Sequence, residues 1–427
     1  MGACSSTCGR SPEDLDEFRT DSRLLDAAQC ERQKAELGAF FMDGKDDGEP
    51  GRSPATCSTD LSPPSNQEEA EEEDEGAVDV GKGEEAMVVF EESFNEVLGL
   101  CRKARVFDAM IALTSLEQDV QQRSPAKRLD GGQALRNFVQ RLQEDPLLKT
   151  LREVNGRMTS VLSILGPSAL PGGAGDKRWV SVNITDPNIN PEFHGDIRIR
   201  FAEGAERDPH GPSTQIITYG SLTAYPMDLE DFVSVYRETD LYQKEWVADC
   251  EQCEGKVGGP EKLYSAYSRF INSSPLMPTR LEILTVREFA VCTKSPVPNR
   301  GPGVVVVDMS PPSDAKTFAG WHMPDPMRRV TRMTGVGLIL YFTPRKDKPG
   351  FCDVFAFAKA AAPLPQWLVP LSLLKRFFAN HFLTLFRAIK TFIKDDWEKL
   401  GYKERISGKP DLYQSISDIK RMLSQAC

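Results

Sequence analysis

The ten residues MGACSSTCGR hold the clearest chemistry in the chain. Gly2, followed by small Ala3 and by Ser6, fits the N-myristoylation pattern, and Cys4 and Cys8 stand where palmitate would be added beside it. One myristoyl chain is a weak, reversible anchor, and a second acyl chain makes attachment durable. The expected result is a peripheral protein on the cytoplasmic face of a membrane. A second grouping, Cys250-Glu-Gln-Cys253, is a lone CxxC. Structural zinc asks for a further ligand pair at similar spacing, and His194, His210, His322 and His381 lie far apart, so no metal is expected. His322 with Asp325 reads as two solvent-facing polar residues. No G-x-S-x-G elbow or Walker loop occurs, and Gly172, Gly173 and Gly175 lead into a strand where a phosphate cradle needs a helix. Enzymatic chemistry is therefore not expected.

A different kind of chemistry, the sequestering of hydrocarbon, belongs to residues 365–393. At about 100° per residue, Leu371, Leu374, Phe378, Phe382, Leu385, Ile389 and Phe392 share one face of a helix, with Phe386 and Ile393 beside them. Arg376, Arg387, Lys390 and Lys394 gather on the opposite flank, and no Asp or Glu occurs from 354 to 394. A face this apolar must cover something apolar. Arg376, Arg387 and Lys390 are the expected contacts with an anionic membrane surface.

Other elements must position these residues, and the chain changes character along its length. It has 427 residues and a net charge of −11. Residues 1–85 carry 23 acidic and 8 basic side chains, a net of −15, so the remainder is mildly basic at +4. This acidic tail is too polar to bury a core and reads as disordered. Ten scattered cysteines suit a reducing compartment. The longest charge-free apolar stretch, 360–374, contains Pro363, Pro365 and Pro370 and is too short to cross ~30 Å of hydrocarbon. Residues 86–166 have a helical period, with Asp145-Pro146 starting one helix. They either bind a protein partner or pack on the domain C-terminal to them. From 175 the period changes to two, with strands expected at 180–184, 197–201, 214–224, 263–270, 284–293, 303–309, 335–343 and 351–359. Asp228 is placed to cap a helix carrying Leu229, Phe232, Val233 and Tyr236. A run of antiparallel strands closed by one long C-terminal helix is an α+β design. Residues 396–427 add a short amphipathic helix bearing Leu412, Ile416, Ile419 and Leu423.

Three blocks carry a resemblance to a known family: YGSLTAYPMDLEDFVSVYRETDLYQKEWV (219–247), VREFAVC (286–292) and LILYFTPRKDKPGFCDVFAFAKAAAPLPQWLVPLSLLKRF (338–377). In order and spacing, residues 175–395 resemble the START (steroidogenic-acute-regulatory-related lipid transfer) domain. The resemblance implies a helix-grip fold, a curved antiparallel sheet wrapped on the long C-terminal helix with one lipid in the tunnel between them. It implies no cofactor beyond that bound lipid and no nucleic-acid partner. By it, Trp246, Arg287, Phe289, Tyr341, Phe355, Phe357, Phe378, Phe382, Leu385 and Ile389 are the expected lipid-binding residues, although alternation lets only some aromatics of each strand face inwards. Sterol-binding members carry a basic residue where Thr293 stands, and this chain is neutral there. The expected function is binding and transfer or sensing of a lipid from a membrane tether. The alternative is a membrane-anchored adaptor whose helices at 86–166 bind a protein under lipid control.

Overall fold

The computed structural model describes residues 81–123, 132–165, 179–201, 214–241, 250–273, 280–297, 299–312, 314–332, 337–362, 375, 383, 386–391 and 397–425. The expected acyl sites Gly2, Cys4 and Cys8, the acidic tail, and Trp246, Arg376, Phe378, Phe382 and Leu385 lie outside them.

Four helices come first: α1 (Gly81–Arg102), α2 (Val106–Arg123), α3 (Gly132–Glu144) and α4 (Pro146–Leu162). Asp145 starts α4 as its spacing indicates, accepting hydrogen bonds from the amides of Leu147 at 2.9 Å and Leu148 at 3.0 Å while Pro146 takes the first helical position. The strands are β1 (Val180–Thr185), β2 (His194–Phe201), β3 (Thr214–Tyr225), β4 (Cys250–Val257), β5 (Ala266–Asn272), β6 (Arg280–Cys292), β7 (Gly303–Met309), β8 (Thr317–Phe318), β9 (Trp321–His322), β10 (Val330–Arg332), β11 (Gly337–Pro344) and β12 (Cys352–Ala362). Helix α5 (Leu229–Arg237) comes after β3, and α6 (Tyr402–Ser407) and α7 (Pro410–Gln425) end the described chain. Residues 383 and 386–391, within the long helix expected at 371–393, are helical.

The main sheet runs β1-β2-β3-β12-β11-β7-β6-β5-β4, with every neighbour on this path antiparallel. Strand β10 pairs in parallel with β6, off the path. The fold is α+β, and nearly every strand sits where the two-residue period places it. The short strands β8 to β10 and strand β4 are the exceptions, and β4 is the longest of them. Its sequence CEQCEGKV has almost none of the branched and aromatic residues that mark strands, and as an edge strand it needs few. Gly255 within it answers a close approach, because a Cβ there would stand 1.8 Å from the carbonyl oxygen of Thr239.

Alternation gives the sheet two apolar faces, each covered. One face, bearing Phe289, Val306, Leu340 and Val354, packs with α5, α6, α7 and the helical residues Phe386 and Ile389. The other, bearing Ala290, Val305, Ile339 and Phe357, packs with α1 to α4. Residues 77–427 accordingly cluster as one compact unit. The boundary expected near 166–175 does not separate two bodies, because Leu113, Leu148, Leu151 and Met158 share a core with the sheet and are essentially inaccessible to solvent.

Candidate functional site

The face that meets the C-terminal elements is the candidate site. At its β3 end, helical residues 386–391 are clasped from several sides. The Tyr225 hydroxyl donates to the Phe386 carbonyl at 2.7 Å. The Phe386 ring lies 5.2 Å from that of Tyr225 and 6.3 Å from that of Phe193, and Phe232 extends the cluster to Phe342 with ring centres 4.6 Å apart. Burial, and secondarily the neighbouring Tyr236, drives the Tyr225 phenol far above its ordinary range, so it serves as a neutral donor.

The basic flank of this helix is also engaged. Arg387 Nε donates to Asp186 Oδ2 at 2.5 Å, and Lys390 Nζ donates to the carbonyls of Asn188 and, at 2.6 Å, Ile189. Burial raises the Asp186 pKa, but the Arg387 hydrogen bond and the Asn188 amide outweigh it and hold the carboxyl below its usual range. Arg387 and Lys390, expected at a membrane surface, also fasten the helix to residues 186–190, and Arg387 stays exposed while doing so. The physical reason is the turn at 186–190, which presents one carboxylate and two carbonyls at the helix flank. Sequence periodicity identifies a basic side without showing what opposes it.

Arg287 and Phe289 lie on this same face, two residues apart on β6. Arg287 is directly across the ladder from Asp308 on β7. Its Nε donates to Asp308 Oδ2 at 2.9 Å and its Nη1 to the Tyr236 carbonyl at 3.1 Å, with both side chains under one tenth exposed. Asp308 Oδ1 has no hydrogen-bond partner among the described residues. A buried, charge-assisted pair is thus set into an apolar face, with an acceptor atom to spare. Sequence reading missed Asp308. The available signal was an Asp closing the run of valines at 304–307, but its partner emerges only from the β6–β7 register.

The other expected aromatics part company with these. Tyr341, Phe355 and Phe357 lie on the opposite face, against α1 to α4. Tyr341 and Phe355 are ladder partners and so point the same way, and the Tyr341 hydroxyl donates to the Gly301 carbonyl at 2.7 Å. They cannot line one site together with Phe289 and Ile389, which is a correction to the expected set. Glu288, between Arg287 and Phe289, also faces α4, where Arg157 donates to its Oε1 through Nε at 2.8 Å and Nη2 at 2.6 Å. Burial pushes Glu288 up to about 7 in spite of that guanidinium, and its Oε2 has no partner among the described residues. The neutral Thr293 places its hydroxyl 3.3 Å from Asp108 Oδ2 of α2.

Cys250 and Cys253 lie partly exposed on edge strand β4. Among the described residues no group of three or more His, Cys, Asp or Glu could hold a metal ion, and no helix is long and apolar enough to cross a membrane.

No family model matches the chain, and no curated protein does. Solved structures do show likeness. The chain is similar to human STARD10 at 13% identity, covering 58% of this chain and 90% of that one, with a TM-score of 0.36. A STAR-related lipid transfer protein from Xanthomonas axonopodis is similar at 14% identity over 51% of this chain and 100% of its own, TM-score 0.34. Human StAR-related lipid transfer protein 5 is similar at 12% identity, 56% and 98% coverage, TM-score 0.33. Each is a likeness and no more.

Proposed function

We propose that this chain is a START-like, non-enzymatic lipid carrier or sensor that holds one lipid against the sheet face bearing Arg287, Phe289 and Ile389. The observation that carries this reading is the clasp. A helical stretch beyond the last strand is gripped on the sheet face that also holds a buried Arg–Asp pair with a spare acceptor. The three sequence blocks that resemble the START domain support the same reading independently. A lipid chain leaves water at ~0.8 kcal/mol per buried CH₂, so an apolar site can carry it without covalent chemistry. The Asp308 acceptor offers hydrogen bonding to a polar headgroup.

The acyl signals at Gly2, Cys4 and Cys8 support a tether on the cytoplasmic face of a membrane, which raises the local concentration of the lipid-binding unit. Myristate labelling of the whole chain, lost in Gly2→Ala, tests this arm. The adaptor alternative has less surface to work with, because α1 to α4 spend their apolar stripes on one another and on the sheet. What it retains among the described residues is Val88, Val89, Ile111 and Ile164, which are exposed. The carrier reading is tested by incubating the full chain with vesicles of mixed lipid classes and measuring lipid extraction. Extraction of no class would sink it.

A further inference from the structure

The main sheet ends in two edge strands, β4 and β1, and they are built differently. Strand β4 carries the devices that keep an edge from pairing: a bulge between Cys250 and Gln252, the charges of Glu251, Glu254 and Lys256, and a cover in Thr239, whose hydroxyl donates to the Lys256 carbonyl at 3.1 Å. Strand β1, VSVNIT, has none of them. It contains no charge, Pro or Gly, four of its six residues are β-branched, and all six pair with β2 without a register shift. Among the described residues no strand pairs with its outer edge, and no loop backbone hydrogen-bonds to it. Such an edge presents its amides and carbonyls to another strand.

Val182 and Ile184 of β1 are buried in the core of the candidate face, while Ser181, Asn183 and Thr185 are exposed on the other side of the sheet. On that outer side the ladder puts Ser181 across from Arg198 of β2 and Asn183 across from Asp196. Arg198 and Asp196 are joined within the chain, Nε to Oδ2 at 3.0 Å, and each is about one quarter exposed. A second copy of β1, laid antiparallel along this edge, keeps apolar side chains on the core side when the two-fold axis passes opposite a residue. With the axis at Ser181, Arg198 of one copy is directed at Arg198 of the other, and with the axis at Asn183 the two Asp196 carboxylates are opposed. With the axis at Val182, each row reads Arg198, Ser181, then Asn183 and Asp196 of the second copy, so opposite charges face each other on both sides of the axis.

We propose that β1 is a dimer interface, at which two copies of this chain pair β1 with β1, antiparallel about Val182, and join their sheets into one. Val182 then meets Val182 and Val180 meets Ile184 on the core side, and Ser181 meets Asn183 on the outer side. The contact is isologous and leaves neither copy with an open β1 edge. A ladder of six residues spans ~20 Å and falls below the ~1,200 Å² of a stable interface, so the association is weak and depends on concentration. Backbone hydrogen bonds supply its affinity. The Arg198 and Asp196 rows, ~14 Å apart between strand axes, select its register. The pairing does not rest on the lipid-binding reading.

Sedimentation equilibrium of the full chain, with Gly2→Ala to remove the myristoyl signal, reads the oligomeric state across micromolar concentrations. A reversible equilibrium of monomer and dimer is expected. Ser181→Lys/Asn183→Lys sets lysines directly across from one another in the dimer, while in the monomer both positions are exposed. It should weaken dimerisation by about tenfold or more and leave the melting temperature unchanged. Register is read by mixing Ser181→Cys chains with Asn183→Cys chains under mild oxidation and mapping the linked peptides. A link from 181 of one chain to 183 of the other should form in preference to links from 181 to 181 or 183 to 183. A chain that stays monomeric throughout, a dimer that the lysines leave untouched, or cross-links at like positions alone would each overturn the pairing. Should the lysine variant lose its fold, the cross-link decides.

Discussion

Arg287 and Glu288 are neighbours in sequence with opposite fates. Strand alternation sends the arginine to Asp308 on the candidate face and the glutamate to Arg157 beneath the helical layer. Their types were visible in VREFAVC, but their partners lie on β7 and α4, and only tertiary packing brings these close. Breaking one side of the buried Arg287–Asp308 pair by Asp308→Leu should cost about 3–5 kcal/mol in chemical denaturation. The double variant Arg287→Met/Asp308→Leu should recover much of that stability while weakening headgroup selectivity. Full stability in the single variant would show that the pair is not desolvated. Glu288 gives a pH signature. Its folded pKa, raised from 4.5 to about 7 chiefly by burial, means that the folded state keeps a proton the unfolded chain has lost between those values. Its contribution to stability is therefore greatest below the unfolded pKa and falls as pH rises towards 7, by roughly 3 kcal/mol in all. Glu288→Gln should flatten stability over this window when denaturation is monitored at a series of pH values. An unaltered slope would mean that the carboxyl titrates normally.

At the scale of elements, the period of 365–393 indicated a helix with an apolar face and a basic flank, and the described part of that stretch is helical. What the period could not reveal is that Arg387 and Lys390 meet Asp186 and the Asn188 and Ile189 carbonyls, since residues 186–190 have no regular pattern of their own. Similarly, aromatic content pointed to Tyr341, Phe355 and Phe357, but period two defines two faces without saying which one the C-terminal helix covers. The clasp has measurable consequences. Tyr225→Phe removes a buried hydrogen bond and leaves the Phe386 carbonyl short of a donor, so it should cost about 1–3 kcal/mol and speed lipid release to acceptor vesicles. Arg387→Glu places like charges together at Asp186 and should act in the same direction, faster release and lower stability. Slower exchange confined to anionic acceptors would instead support the membrane-contact role expected for Arg387.

For the molecule as a whole, the sheet is covered on both sides, and the helices at 81–162 are a structural layer of the fold. A protein that begins at residue 175 should expose the Tyr341, Phe355 and Phe357 face, bind a hydrophobic dye and aggregate. Recovery of a soluble, cooperatively melting fragment would contradict the two-sided core. The number of layers was not legible in the sequence because amphipathic helices at 86–166 look alike whether they cover a sheet or await a partner. The proposed property with the widest consequences is the carriage of one lipid in the face gripped by the C-terminal elements. It is tested most directly by native mass spectrometry of the whole chain purified from eukaryotic cells, with lipid analysis of the same sample. One lipid per chain is expected, lost when Ile389→Asp puts a charge into the gripped face of a still-folded protein. A chain that carries no lipid, and that extracts none from vesicles of any lipid class, would contradict it.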